Sequence, residues 1–96
     1  GRTLDAAKSV ELGLASESVD DGALMARAGE IAAEIAANAP LAVQAAKRMM
    51  RMGWNEPFNE HVHHVFLQLL PLMKSEDFRE GIAAFLEKRP ARFAGR

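Results

Sequence analysis

A chain of 96 residues and 10.5 kDa is one domain or a piece of one. Hydrophobic residues make up 49%, charged residues 26%, and the net charge is -1, which excludes a disordered chain and an extended nucleic-acid surface. The absence of cysteine rules out a disulfide framework and thiolate chemistry and fits the cytoplasm; no apolar run approaches a membrane span, and the start carries no signal-peptide pattern.

Good helix formers dominate and β-branched residues are sparse, so the expected fold is all-α with four to five helices. Thr3 can cap a first helix that runs to about Leu12, with Gly13 as a left-handed stop. The stretch LASESVDD reads as a short extended link, and Asp20 or Asp21 as the cap of a second helix. In that helix Leu24, Ala28, Ile31 and Ile35 make one apolar stripe, and Asn38 ends it. Pro40 suits the first turn of a third helix, whose face runs from Leu41 to Met52 and which Gly53 closes. Asn55 and Pro57 open a fourth, with Phe58, Val62, Val65, Phe66, Leu69, Leu72 and Met73 on its face and Pro71 loosening its last turn. Ser75 caps the fifth, Phe78, Ile82, Phe85 and Leu86 form its buried edge, and Pro90 terminates it.

Each candidate site has a plain reading beside the chemical one. His61, His64 and Gln68 share a flank of the fourth helix, but a histidine pair at i and i+3 with no cysteine and no HExxH spacing falls short of a zinc site; a solvated polar flank is favoured. Lys47, Arg48 and Arg51 form a basic stripe that reads as the wet side of an amphipathic helix. The five methionines are read as core filling and Trp54 as a loop anchor. Glu80 and Glu87 are assigned to the outward side of the last helix as surface charge, with no pocket to tune them for acid or base work. No catalytic residues and no metal ligands are assigned. Lys88 and Arg89, with Arg92 nearby, either offset a helix dipole or bind a phosphorylated, nucleotide-like handle beside Phe85 and Phe93.

Asp77, Glu80, Gly81, Ala84, Phe85, Glu87, Lys88, Arg89, Phe93 and Gly95 resemble, in order and spacing, the closing motif of the enoyl-CoA hydratase/isomerase (crotonase) family. The stretch GRTLDAAKSVELGLASESV and Pro40, Ala42 and Lys47 are similar to the segment leading into it, and the likeness is weakest from Met50 to Met73. The resemblance implies a C-terminal portion: the helical oligomerisation domain of the crotonase fold, without the N-terminal ββα spiral core that holds the acyl-CoA and the oxyanion hole. A start at Gly1 with no initiator methionine adds the expectation that a longer chain was cut.

By the same resemblance the chain is an assembly and CoA-covering part of an acyl-CoA enzyme of fatty acid metabolism, one that adds water to a 2-enoyl thioester, and it is inactive alone. Isomerase, hydrolase or dehalogenase activity toward acyl-CoA is the alternative within the family. Coenzyme A thioester is implied as substrate and no separate cofactor; the partners implied are acyl-CoA and further copies, in trimers or hexamers, with no nucleic acid and no membrane. Lys88 is the implied contact for the adenosine-phosphate end of CoA, and Leu69 stands where some relatives place an aromatic residue near the adenine. A different class stays open: an independent helical module binding a partner helix or an acyl chain.

Overall fold

An aspartate, and not Thr3, starts the first helix. In the computed structural model, which describes residues Gly1–Arg96, α1 covers Ala6–Glu11, and the carboxylate of Asp5 accepts from the Lys8 amide at 2.7 Å. Aspartate is the stronger N-cap and sits where the helix begins, which leaves Thr3 outside. Gly13 takes φ +71°, the left-handed conformation that a glycine reaches without steric cost. Asp20 makes no side-chain cap bond; a short 3-10 turn, Asp21–Ala23, leads instead into α2, Leu24–Ala36. No strand forms anywhere in the chain.

Two compact units divide the chain, Gly1–Ala32 and Ala33–Arg96. In the first, Arg27 ties the link to α2: its Nε donates to Glu17 Oε1 at 2.9 Å and its Nη1 to Glu30 Oε2 at 2.9 Å. Those two carboxylates raise the arginine pKa further above its ordinary value, the Glu30 hydrogen bond most of all. A shallow cleft of about 290 Å³ runs beside the pair, lined by Ala6, Ala15, Val19, Leu24, Ala28 and Ile31.

In the second unit α3, Pro40–Met52, packs on α4, Phe58–Leu72, and α5 covers Glu76–Glu87. Pro40 holds the first turn of α3, and Gly53 closes it by donating to Met49 O. Pro71 lies in the last turn of α4, where the Met73 amide still reaches the carbonyls of Leu69 and Pro71. The fifth helix does not run to Pro90. It stops at Lys88, which adopts φ 53° and ψ 42°.

The core is almost empty. Ala45 and Ala84, each 3% exposed, are the only buried apolar residues, and Asp77 is the only buried polar one. Met25, Met50, Met52 and Met73 fill no interior, and Trp54 anchors no loop: Trp54 is 88% exposed, Met25 80% and Met50 73%. Helix periodicity placed the apolar faces, yet within this chain most of them meet no neighbour.

Candidate functional site

The region of α5 and the tail that follows it holds the most specific polar geometry in the molecule. Ser75 begins it: its Oγ accepts from the Phe78 amide at 3.0 Å and donates to Leu72 O at 2.7 Å, joining the end of α4 to the start of α5. Glu76 and Asp77 then occupy the first turn, where the helix dipole favours negative charge. Asp77 is buried, and its two oxygens accept from the amides of Ala94 at 2.6 Å and Gly95 at 2.9 Å. Its own amide donates to Arg96 O at 3.1 Å, so the tail folds back along α5 as a strap. A buried carboxylate with both oxygens bonded to backbone amides is compensated for the water it has lost.

One turn further on, Glu80 does more than the surface role its spacing suggested. Arg89 Nη1 donates to Glu80 Oε1 at 2.6 Å and Nη2 to Oε2 at 2.9 Å, a two-pronged contact, while the Arg92 amide donates to Oε1 at 2.7 Å. The Arg89 guanidinium, and then the Arg92 amide, hold the Glu80 carboxyl down to about 2. Arg89 Nε also donates to Glu87 Oε2 at 2.6 Å, so this guanidinium is spent within the fold and its pKa is raised. Lys88, in contrast, is exposed and its ammonium makes no ion pair or hydrogen bond. The basic cluster thus separates into a structural Arg89 and two side chains, Lys88 and Arg92, whose charged groups make no ion pair.

Beside the strap an apolar groove of about 380 Å³ opens, lined by Leu41, Phe78, Gly81, Ile82, Phe85 and Phe93 among others. Asp77 borders it, but both its oxygens face the tail amides, so no pair of ionisable groups converges on the groove. A Cβ at Gly81 would stand 3.7 Å from the Phe93 ring, an ordinary contact, so close packing inside the chain does not require glycine there.

Leu69 lies elsewhere, 44% exposed, in a small cleft between α3 and α4 that includes Ala45, Met49 and Val65 but no residue of α5. The histidine flank is organised by Glu56, which the spacing of the histidines does not point to: its Oε2 is hydrogen-bonded to His64 Nδ1 at 2.6 Å and stands 3.9 Å from His61 Nδ1. The His61 ring packs against Gly53, and no group of three metal-ligating side chains forms. Glu56 precedes Pro57 at the entrance of α4, and a carboxylate there faces the first two turns of the helix. That placement was the available signal. For Glu80 the signal was its i+9 arginine, visible only once the helix is known to stop at Lys88.

A family model described as enoyl-CoA hydratase/isomerase matches residues 1–96. The chain is 40% identical over 97 residues to the enoyl-CoA hydratase EchA19 of Mycobacterium tuberculosis, covering 100% of this chain and 36% of that protein. It is 35% identical over 95 residues to the (E)-benzylidenesuccinyl-CoA hydratase of Thauera aromatica, covering 99% of this chain and 37% of that protein. Among solved structures, an enoyl-CoA hydratase of Bacillus anthracis superposes with a TM-score of 0.92 at 31% identity, over 100% of this chain and 37% of that one. An enoyl-CoA hydratase/isomerase of Mycobacterium paratuberculosis superposes with a TM-score of 0.89 at 36% identity, over 97% of this chain and 37% of that one. The chain therefore spans little more than a third of the relatives' length. These matches correct the expected fold class. The resemblance placed the chain in a separate C-terminal helical oligomerisation domain that lacks the crotonase core; the match to the hydratase/isomerase model and to the solved structures runs from end to end of the chain, and points to the crotonase region itself and not to an appended helical domain.

Proposed function

Because this chain belongs to the enoyl-CoA hydratase/isomerase family across all 96 residues, we propose that it serves an enzyme adding water to a 2-enoyl-CoA thioester, as a helical element that packs against further polypeptide and covers the acyl-CoA. The observation that carries this reading is the open apolar surface: Phe58, Phe66, Phe78, Ile82, Phe85 and Leu86 are all exposed on helices that a soluble chain would otherwise bury. Two hydratases among its relatives act on CoA thioesters by name, which supports the substrate class.

In this reading Lys88 contacts the phosphate at the adenosine end of CoA, since it is the cation at the end of α5 that no carboxylate neutralises. Leu69 supplies an apolar contact toward the adenine without the stacking an aromatic ring would give. Self-association in trimers or hexamers and a place in cytoplasmic acyl-CoA turnover complete the proposal; no helix is long and apolar enough to cross a membrane. The bond-making groups belong to other parts of a longer enzyme, and the 96 residues alone are inactive. Two assays test this. The purified chain should hydrate crotonyl-CoA no faster than buffer, and a rate well above background would refute the reading. In the longer enzyme Lys88→Ala should weaken binding of CoA more than binding of dephospho-CoA, and equal weakening would remove the role given to Lys88.

A further inference from the structure

Lys88 is the only residue other than glycine with a positive φ. Left-handed backbone is disfavoured for a residue with a Cβ, and a helix that ends this way ordinarily takes glycine at that position. A lysine held there calls for something that fixes the backbone on both sides of it. The flanking residues are fixed. The Lys88 amide donates to Phe85 O at 3.3 Å and the Arg89 amide to Ala84 O at 3.1 Å, which closes the helix end. Downstream, Arg89 and the Arg92 amide both return to Glu80, and no other carboxylate takes three such donors.

We propose that Glu80 is a positioning residue for the phosphate contact of Lys88: by clamping Arg89 and the Arg92 amide it holds Lys88 in the left-handed conformation that ends α5 with its ammonium unpaired. The proposal rests on the reading of Lys88 as a CoA contact. Glu80 has a second effect in the same geometry. By pairing Arg89 it withdraws the neighbouring guanidinium from competition for the anion, so that the arriving phosphate meets the Lys88 ammonium without Arg89 beside it. Glu80 itself stays ionised throughout the neutral range, because the guanidinium and the amide hold its carboxyl far below it.

The test measures the preference of the longer enzyme for CoA over dephospho-CoA, the ratio of their dissociation constants. Glu80→Gln keeps the size of the side chain and loses the charge that holds Arg89; the preference should fall about three- to tenfold, the scale of one weakened hydrogen bond, while binding of dephospho-CoA stays as it was. A merely structural role for Glu80 would weaken both ligands alike. If Arg89 itself were the phosphate ligand, freeing it would raise the preference. An unchanged, uniformly weakened or raised result therefore overturns the proposal. Arg89→Lys, which retains the charge without the fork, should give the same fall and serves if Glu80→Gln does not fold. Glu76→Gln, on the same helix with its exposed partner Arg96, should leave the preference unchanged. Lys88→Ala separates the two layers of the argument. If it leaves the preference intact, the CoA contact is wrong; if it abolishes the preference while Glu80→Gln does not alter it, only the positioning role is wrong.

Discussion

Replacing Asp77 by asparagine exchanges one carboxylate oxygen for an amide NH2 and removes the negative charge, at nearly constant shape. In the native strap both carboxylate oxygens accept backbone amides, from Ala94 at 2.6 Å and Gly95 at 2.9 Å, at a side chain that is 3% exposed. Asparagine offers one acceptor, so one amide loses its partner and faces a donor instead. The loss of a hydrogen bond to a charged group costs about 1.5 to 3 kcal/mol, and the charge in the first helical turn contributes roughly another 0.5 kcal/mol. Part of this is offset because a neutral amide is cheaper to bury than a carboxylate. A net cost of about 2 kcal/mol to the strap corresponds to about 30-fold faster exchange of the Ala94 and Gly95 amides, if they exchange by lifting of the strap alone. Amide hydrogen exchange followed by NMR resolves both sites. The α1 amides, in the other compact unit, should keep their native rates. Exchange at Ala94 and Gly95 within twofold of the wild type would refute the assignment of Asp77 as the latch.

Two further predictions concern the same helix. Glu80 has its folded-state pKa lowered from 4.5 to about 2, so its stabilising contribution is complete above about pH 4.5 and is lost as pH falls through about 2. The Arg92 amide resonance should titrate with that low midpoint, and Glu80→Gln should abolish the titration; a midpoint near 4.5 would contradict the clamp. Gly81→Ala should stabilise the isolated chain by about 1 kcal/mol in chemical denaturation, because alanine favours the helix interior and its Cβ meets Phe93 at an ordinary 3.7 Å. A loss of stability would show that the tail packs against α5 more closely than this.

Local rules were legible where a single residue type decides the backbone. Pro40 at the first turn of α3, Ser75 at the cap of α5 and Gly13 in left-handed conformation all follow from side-chain geometry alone. The end of α5 was not legible, because Pro90 is an obvious stop whereas Lys88 stops the helix through a clamp nine residues apart in sequence. Glu80 was misjudged for the same reason: its partners lie in a tail whose return along α5 has no periodic signal. Apolar periodicity located the faces of the helices correctly and said nothing about what covers them. Reading Met25 and Met50 as core filling assumed a core that 96 residues in this arrangement do not build. The histidine flank shows the converse. His61 and His64 share a helical spacing, but Glu56, which organises them, stands before the helix and outside its period.

The proposition with the widest consequences is that the exposed apolar faces exist to be covered by polypeptide. Sedimentation equilibrium of the purified 96-residue chain tests it most directly. Self-association is expected, with a mass above 10.5 kDa that rises with concentration and falls when the 83% exposed Phe85 is replaced by glutamate. A single 10.5 kDa species at every concentration, with no binding of an apolar dye, would contradict it and would favour an independent helical module.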